Sequence, residues 1–142
     1  MSVSVTGLYA GILGIVFFLL SLRVISNRVR ARVNLLDGGD EALTRAMRVH
    51  GNFAEYVPFA LLLMALAEIQ GGSGLFMHVL GTVLIVCRLC HAYAITATTG
   101  QNPFRQIGFV GTFGVIIFAG GYSIYRFAAV AGPHRARRPA PP

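Results

Sequence analysis

Four apolar stretches, at about residues 6–25, 52–70, 74–97 and 107–131, take up most of this 142-residue chain. Each approaches the roughly 20 residues that a helix needs to cross a hydrocarbon core about 30 Å thick. No water reaches the backbone there, so each stretch must close its own hydrogen bonds as a helix. The pattern predicts an all-α integral membrane protein whose domain, residues 1–132, is a four-helix bundle. A mean hydropathy of +0.66 with 12% charged residues favours that class over a soluble domain. Residues 133–142, rich in proline and arginine, read as a disordered tail whose composition suits contact with anionic lipid. The first stretch lacks a basic leader and a convincing small-residue cleavage site, so a retained span is expected.

The net charge of +7 comes from twelve arginines and no lysine. Nucleic acid is not the expected partner, because the arginines sit at membrane edges and leave no soluble basic face. Their distribution speaks to topology instead. Arg23, Arg28, Arg30, Arg32, Arg45 and Arg48 crowd the connection between spans one and two, whereas "QGGSG" between spans two and three has no charge. The positive-inside rule then puts the first connection in the cytoplasm and both termini outside. The three tail arginines favour the opposite orientation, but the first connection holds more arginines and the first span usually dominates.

Span two is unusual in how many polar groups it carries inward. Gly38 and Gly39 break the chain, Asp40 is placed to cap a helix, and Glu41 falls in its first turn, where a carboxylate complements the helix dipole. A helix from about Asp40 to Ile69 would be about 45 Å long, so its first ten or so residues protrude from the hydrocarbon. Arg45, Arg48, Asn52 and Glu55 recur at steps of three and four and form one stripe. Pro58 lies further in and frees the carbonyl of Ala54. An ionisable stripe at this depth must face the bundle interior, a partner subunit or a watery cavity.

Internal ion pairs, Arg48 or Arg88 with Glu55, would be one use of these groups. The charges do not balance, however: Arg45, Arg48, Arg88 and Arg105 stand against Glu55 alone. A surplus of guanidinium groups asks for an anion and suits carboxylates in bidentate fashion. Glu55 could hold an ammonium group or orient an arginine. The chemistry points to a small zwitterion or polyanion entering from the cytoplasm. Cys87 and Cys90 fit packing better than metal ligation, and His50 and His91 fit hydrogen bonding, since no third ligand is suitably spaced and the arginines would repel a cation. His78 reads as packed or interfacial. Gly108, Gly111, Gly114, Gly120 and Gly121 suggest close helix approaches in span four. No serine-histidine-aspartate pattern, paired-carboxylate motif or phosphate loop is present.

The segment "RAMRVHGNFAEYVP" resembles the second-helix signature of the MAPEG family, the membrane-associated proteins of eicosanoid and glutathione metabolism, through Arg48, Asn52, Glu55, Tyr56 and Pro58. "RLCHAY" and "NPFR" resemble the family's later motifs. The resemblance covers nearly the whole chain and implies a homotrimer holding glutathione in clefts between subunits. It implies that Arg48, His50, Asn52, Glu55, Tyr56, Arg88 and His91 contact the tripeptide and that Arg105 stabilises its thiolate. The lipophilic small-molecule substrate would arrive from the membrane lipids.

That resemblance makes a glutathione-dependent transferase or peroxidase acting on lipophilic electrophiles the first expectation, in a bacterial inner membrane with the site near the cytoplasmic face. A binding or regulatory protein that keeps the trimer and the cleft without turnover is the second. A transporter would instead show discontinuous spans and a midplane site. Eicosanoid-forming members carry a tyrosine one turn beyond the position of His91, where this chain has Ile95, so an eicosanoid substrate is not implied. The topology has a direct test. A cysteine introduced at Ser73 should react with a membrane-impermeant thiol reagent only from outside, and reaction only from the cytoplasmic side would reverse the assignment.

Overall fold

A computed structural model describes residues 3–97, 100 and 102–135. They form four helices: α1 (Ser4–Ala31), α2 (Glu41–Ile69), α3 (Gly74–Ala97) and α4 (Pro103–Arg135). All four are long and apolar enough to cross a membrane, and the described residues contain no strand. The all-α reading holds. Helix α4 continues through Arg135, so the stretch read as tail begins helical at residues 133–135; residues 136–142 lie outside the described ones. Gln101 does so too.

The helix ends follow from local side-chain chemistry. Asp40 caps α2 as expected, its Oδ1 accepting the Leu43 N–H at 2.7 Å, and it also pairs with Arg30 at 3.0 Å. Asn102 Oδ1 accepts the Phe104 N–H at 2.9 Å at the start of α4, with Pro103 in the first helical position, where its missing N–H costs nothing. Helix α1 has no side-chain cap of its own. Glu68, from the last turn of α2, supplies one: its two oxygens accept the Val5 and Thr6 N–H groups at 3.0 and 2.8 Å. A carboxylate at the positive end of α1 thus ties that end to α2. Pro58 lies inside α2, which runs unbroken through it.

Helices α2 and α3 form a central pair, with α1 and α4 packed on opposite sides of it. The buried positions of α2, which include Ala46, Val49, Phe53, Val57, Ala60, Met64 and Ala67, recur at three- and four-residue steps. They meet Leu80 and Leu84 of α3, Val115 and Ala119 of α4 and Leu13 of α1. The polar stripe lies one position round from this seam. It continues deeper as Phe59, Leu62 and Leu66, all exposed in the single chain. One side of α2 therefore changes from polar to apolar along its length.

Three glycines set the closest helix approaches. A Cβ on Gly108 would lie 2.6 Å from the His91 Cβ and 2.7 Å from the Cys87 carbonyl, and one on Gly111 would clash with the Cys87 sulfur. Buried Cys87 therefore packs, as expected. A Cβ on Gly81 would overlap the ring of Tyr9. Gly114 and Gly121 face open space and Gly120 meets only Leu63, at 3.8 Å, so these three do not bring helices together within the chain. Gly108→Ala should accordingly lower stability by about 1–3 kcal/mol, since backbone must move to admit the methyl. Gly114→Ala should leave it unchanged or slightly raised. Thermal unfolding of the two variants in detergent checks the contrast.

Candidate functional site

The site is built around a buried arginine. Arg88, only 3% exposed on α3, donates from Nη1 to Asn52 Oδ1 on α2 and from Nη2 to the Gly108 carbonyl on α4, each at 2.8 Å. Its guanidinium carbon lies 5.9 Å from the centre of the Tyr56 ring, within reach of a cation–π attraction. Nε is buried without a hydrogen-bond partner, and the salt bridges among the described residues do not include Arg88. Gly108 can offer its carbonyl because it has no side chain to hold α3 and α4 apart. The hydroxyl of Thr112 donates to the same oxygen at 2.8 Å. One cation on α3 therefore joins α2, α3 and α4 through two neutral oxygens.

Above this layer, at the end where α2 and α4 begin and α3 finishes, the three helices open into a cleft of about 540 Å3. That volume falls within the usual range for small-molecule sites. Arg48 and Glu55 of α2, with Asn52 between them, form one wall, and Arg105 and Gln106 in the first turn of α4 another. Arg48, Glu55 and Arg105 are exposed, and none of them forms a salt bridge among the described residues. His91 lies at the base. Met47, Ile95 and Phe109 supply apolar surface. The capped start of α4 adds the positive end of a helix dipole to the charge of Arg105.

Of the residues expected to bind a ligand, Arg48, Asn52, Glu55, His91 and Arg105 come together here. Arg88 and Tyr56 lie behind the wall: Arg88 holds Asn52, and Tyr56 packs on Phe113 with ring centres 5.6 Å apart. His50 turns the other way. Its Nε2 is 3.0 Å from the Ser21 hydroxyl of α1 and its ring stacks on Phe17 at 4.7 Å. It therefore contributes nothing to this cleft within one chain. The anticipated pairing of Glu55 with Arg48 or Arg88 is absent among the described residues. Arg45 leaves the surplus as well, pairing with Glu41 at 2.9 Å one turn earlier. His78, exposed in the single chain, meets the Tyr9 hydroxyl at 3.1 Å.

Sequence reading missed Gly51, Asn102, Gln106 and Phe109 as parts of the wall. Signals for them existed. Gly51 stands one turn after Arg48, Phe109 one turn after Arg105, and the Asn-Pro pair marks the start of α4.

The chain matches the MAPEG family over residues 6–125. It belongs to that family. Two curated relatives, both named inner membrane protein YecN, come from Escherichia coli strains K12 and O6:H1. Each is 38% identical over 89 residues, covering 63% of this chain and 68% of the relative. No solved structure matches. Together with its four apolar helices, membership makes the chain a multi-pass integral membrane protein of the MAPEG family.

The two layers should separate in stability measurements. Asn52→Ala would strip a buried guanidinium of one acceptor and should destabilise the protein by about 1–3 kcal/mol. Arg48→Ala, which removes an exposed side chain, should fall within about 0.5 kcal/mol of the parent. Denaturant unfolding of the ligand-free variants gives both values; equal losses would contradict the layering.

Proposed function

We propose that this MAPEG protein is a glutathione-dependent transferase or peroxidase of the bacterial inner membrane, acting on lipophilic electrophiles or hydroperoxides. The observation that carries the reading is a cleft with Arg48 and Glu55 on its α2 wall, Arg105 on its α4 wall and apolar residues beside them, none of the three charges being in a salt bridge among the described residues. The donor set fits the tripeptide. Arg48 can take a carboxylate in bidentate fashion, and Glu55 can take the ammonium group. Asn52 has its oxygen committed to Arg88, which leaves its amide N–H groups free to donate.

Bound there, glutathione would supply a thiolate able to attack an electrophilic carbon or reduce a hydroperoxide. Arg105, on the first turn of α4, would hold negative charge at that sulfur, helped by the helix dipole. Lowering the thiol pKa by about two units corresponds to about 2.7 kcal/mol. Met47, Ile95 and Phe109 would cover the apolar part of the acceptor and limit water around the reacting atoms. The relatives' inner-membrane name supports the location, and the arginine-rich first connection puts the cleft near the cytoplasmic face.

A homotrimer is part of the same proposal. The stripe of exposed Arg48, Glu55, Phe59, Leu62 and Leu66, with half-buried Asn52 among them, leaves one side of the cleft and of α2 uncovered in the single chain. A neighbouring copy would close both. One observation favours a second reading, a binding or regulatory protein with the same trimer and cleft but no turnover: Ile95 places a side chain without a hydrogen-bonding group on the cleft wall, where the eicosanoid-forming members carry a tyrosine.

Thiolate ultraviolet absorbance on adding glutathione, recorded beside binding affinity, separates these readings. The parent should bind and show a thiolate, and native mass spectrometry of the same samples should show three chains. Arg105→Ala should lose most thiolate and turnover while affinity falls less. Arg48→Ala and Glu55→Ala should weaken binding itself, by about 1 kcal/mol or more. Binding without thiolate in the parent would favour the regulatory reading. Full thiolate in Arg105→Ala would remove that residue from the chemistry.

A further inference from the structure

A second concave site lies outside the cleft, where α1 ends. It has a volume of about 450 Å3, and its lining combines Arg28 and Arg32 with Ile25, Val29, Val33 and Asn34. The basic residues nearby are not equivalent. Arg30 is neutralised by Asp40 and Arg45 by Glu41, and Arg23 donates to the Thr96 hydroxyl at 2.8 Å. Arg28, on the groove itself, likewise donates to uncharged groups, the Leu36 carbonyl at 2.8 Å and the Met47 sulfur at 3.5 Å. Arg32 is exposed, and its guanidinium has no partner among the described residues. Two cations without counter-charges among the described residues therefore border a groove whose other lining is apolar except for Asn34.

The backbone singles out the same place. Arg32 has φ 55° and Leu36 has φ 58°, a left-handed conformation that suits glycine and is unfavourable for other side chains. Gly38 and Gly39, a few residues on, also have positive φ. The chain thus has glycine for two such positions and arginine and leucine for the others. The connection is well held despite this strain. The Val33 N–H closes onto the Arg28 carbonyl at 3.2 Å. The Asp37 carboxylate accepts from the Gly39 N–H and the Thr44 hydroxyl, contacts that keep its carboxyl below its ordinary pKa. Leu35 and Leu36 project outward, 79% and 70% exposed, beside Val29 at 74%. Outward leucines beside unpaired arginines, at the end of a membrane-spanning helix, match the boundary between headgroups and acyl chains.

We propose that this groove binds the phosphate headgroup of an anionic phospholipid, with Arg28 and Arg32 on the phosphate and an acyl chain along Ile25 and Val29. The apolar lining and the projecting leucines favour a bilayer lipid over a soluble phosphate ester, which would leave them uncovered. The site is separate from the glutathione cleft, so it does not depend on that assignment.

The test uses the full chain in mixed micelles with phosphatidylglycerol or phosphatidylethanolamine of matched acyl chains, and native mass spectrometry counts retained lipid. Phosphatidylglycerol should be retained about tenfold more strongly. Arg32→Gly should reduce its retention to the phosphatidylethanolamine level. The same change relieves the left-handed strain, so the lipid-free thermal midpoint should rise and unfolding cannot explain the loss. Arg30→Gln removes the same formal charge from outside the groove and should keep the preference. Equal retention of both lipids, or an equal loss in Arg30→Gln, would overturn the site in favour of diffuse surface charge. Complete displacement by an equimolar amount of soluble glycerol phosphate would overturn the lipid assignment in favour of a soluble anion.

Discussion

The bundle depends on one guanidinium held in its apolar interior without a carboxylate. Arg88 reaches Asn52 on α2 and the Gly108 carbonyl on α4, so it fixes three helices against one another at the level where the cleft begins. A buried charge of this kind needs acceptors, and two of the guanidinium nitrogens have them while Nε does not. The demand propagates outward. Gly108 must lack a side chain so that α4 comes close enough to offer its carbonyl. Asn52 must point its oxygen inward, which leaves its amide nitrogen for the cleft.

This arrangement divides the arginines by task. Arg88 is held by neutral oxygens inside the bundle, while Arg48 and Arg105 sit above it, exposed and in no salt bridge among the described residues. A charge satisfied within the fold contributes rigidity. A charge left open at a cleft retains its capacity to bind, at some cost to the isolated protein. Glu55 follows the second pattern. Had it paired with Arg88, as a reading of charges along the chain allowed, the cleft would have lost both its acid and the Arg88 donation that holds the Asn52 oxygen inward.

Much of this was legible in the chain. Four apolar lengths give the helices, Asp40 and the Asn-Pro pair mark two of the starts, and the steps from Arg48 to Asn52 to Glu55 put those three on one side of α2. His50 shows where the same rule was not carried through. It stands two residues from Arg48, about 200° round the helix, and so faces α1. Arg45 is one turn from Glu41, an ordinary helical ion pair, and its removal from the surplus of cations could have been anticipated. Other contacts leave no local trace. Glu68 capping α1 across 62 residues, and Tyr9 lying on Gly81, depend on which helices become neighbours. Among the glycines of α4, only tertiary packing distinguishes Gly108 and Gly111 from Gly114 and Gly121.

The stripe on α2 also limits what can surround the protein. Glu55 is exposed in the single chain and lies about one turn from Phe59, which is exposed as well. A carboxylate there cannot face acyl chains cheaply, whereas Phe59, Leu62 and Leu66 would not favour water. Under the proposed assembly, a neighbour meeting α2 along its length would resolve the conflict by packing on the leucines and enclosing a watery cleft at Glu55. Under the proposed trimer the single chain therefore leaves its cleft open on one side, and assembly is what would turn an open set of charges into an enclosed one. Enclosure matters chemically because the field of Arg105 at a sulfur weakens wherever water can screen it.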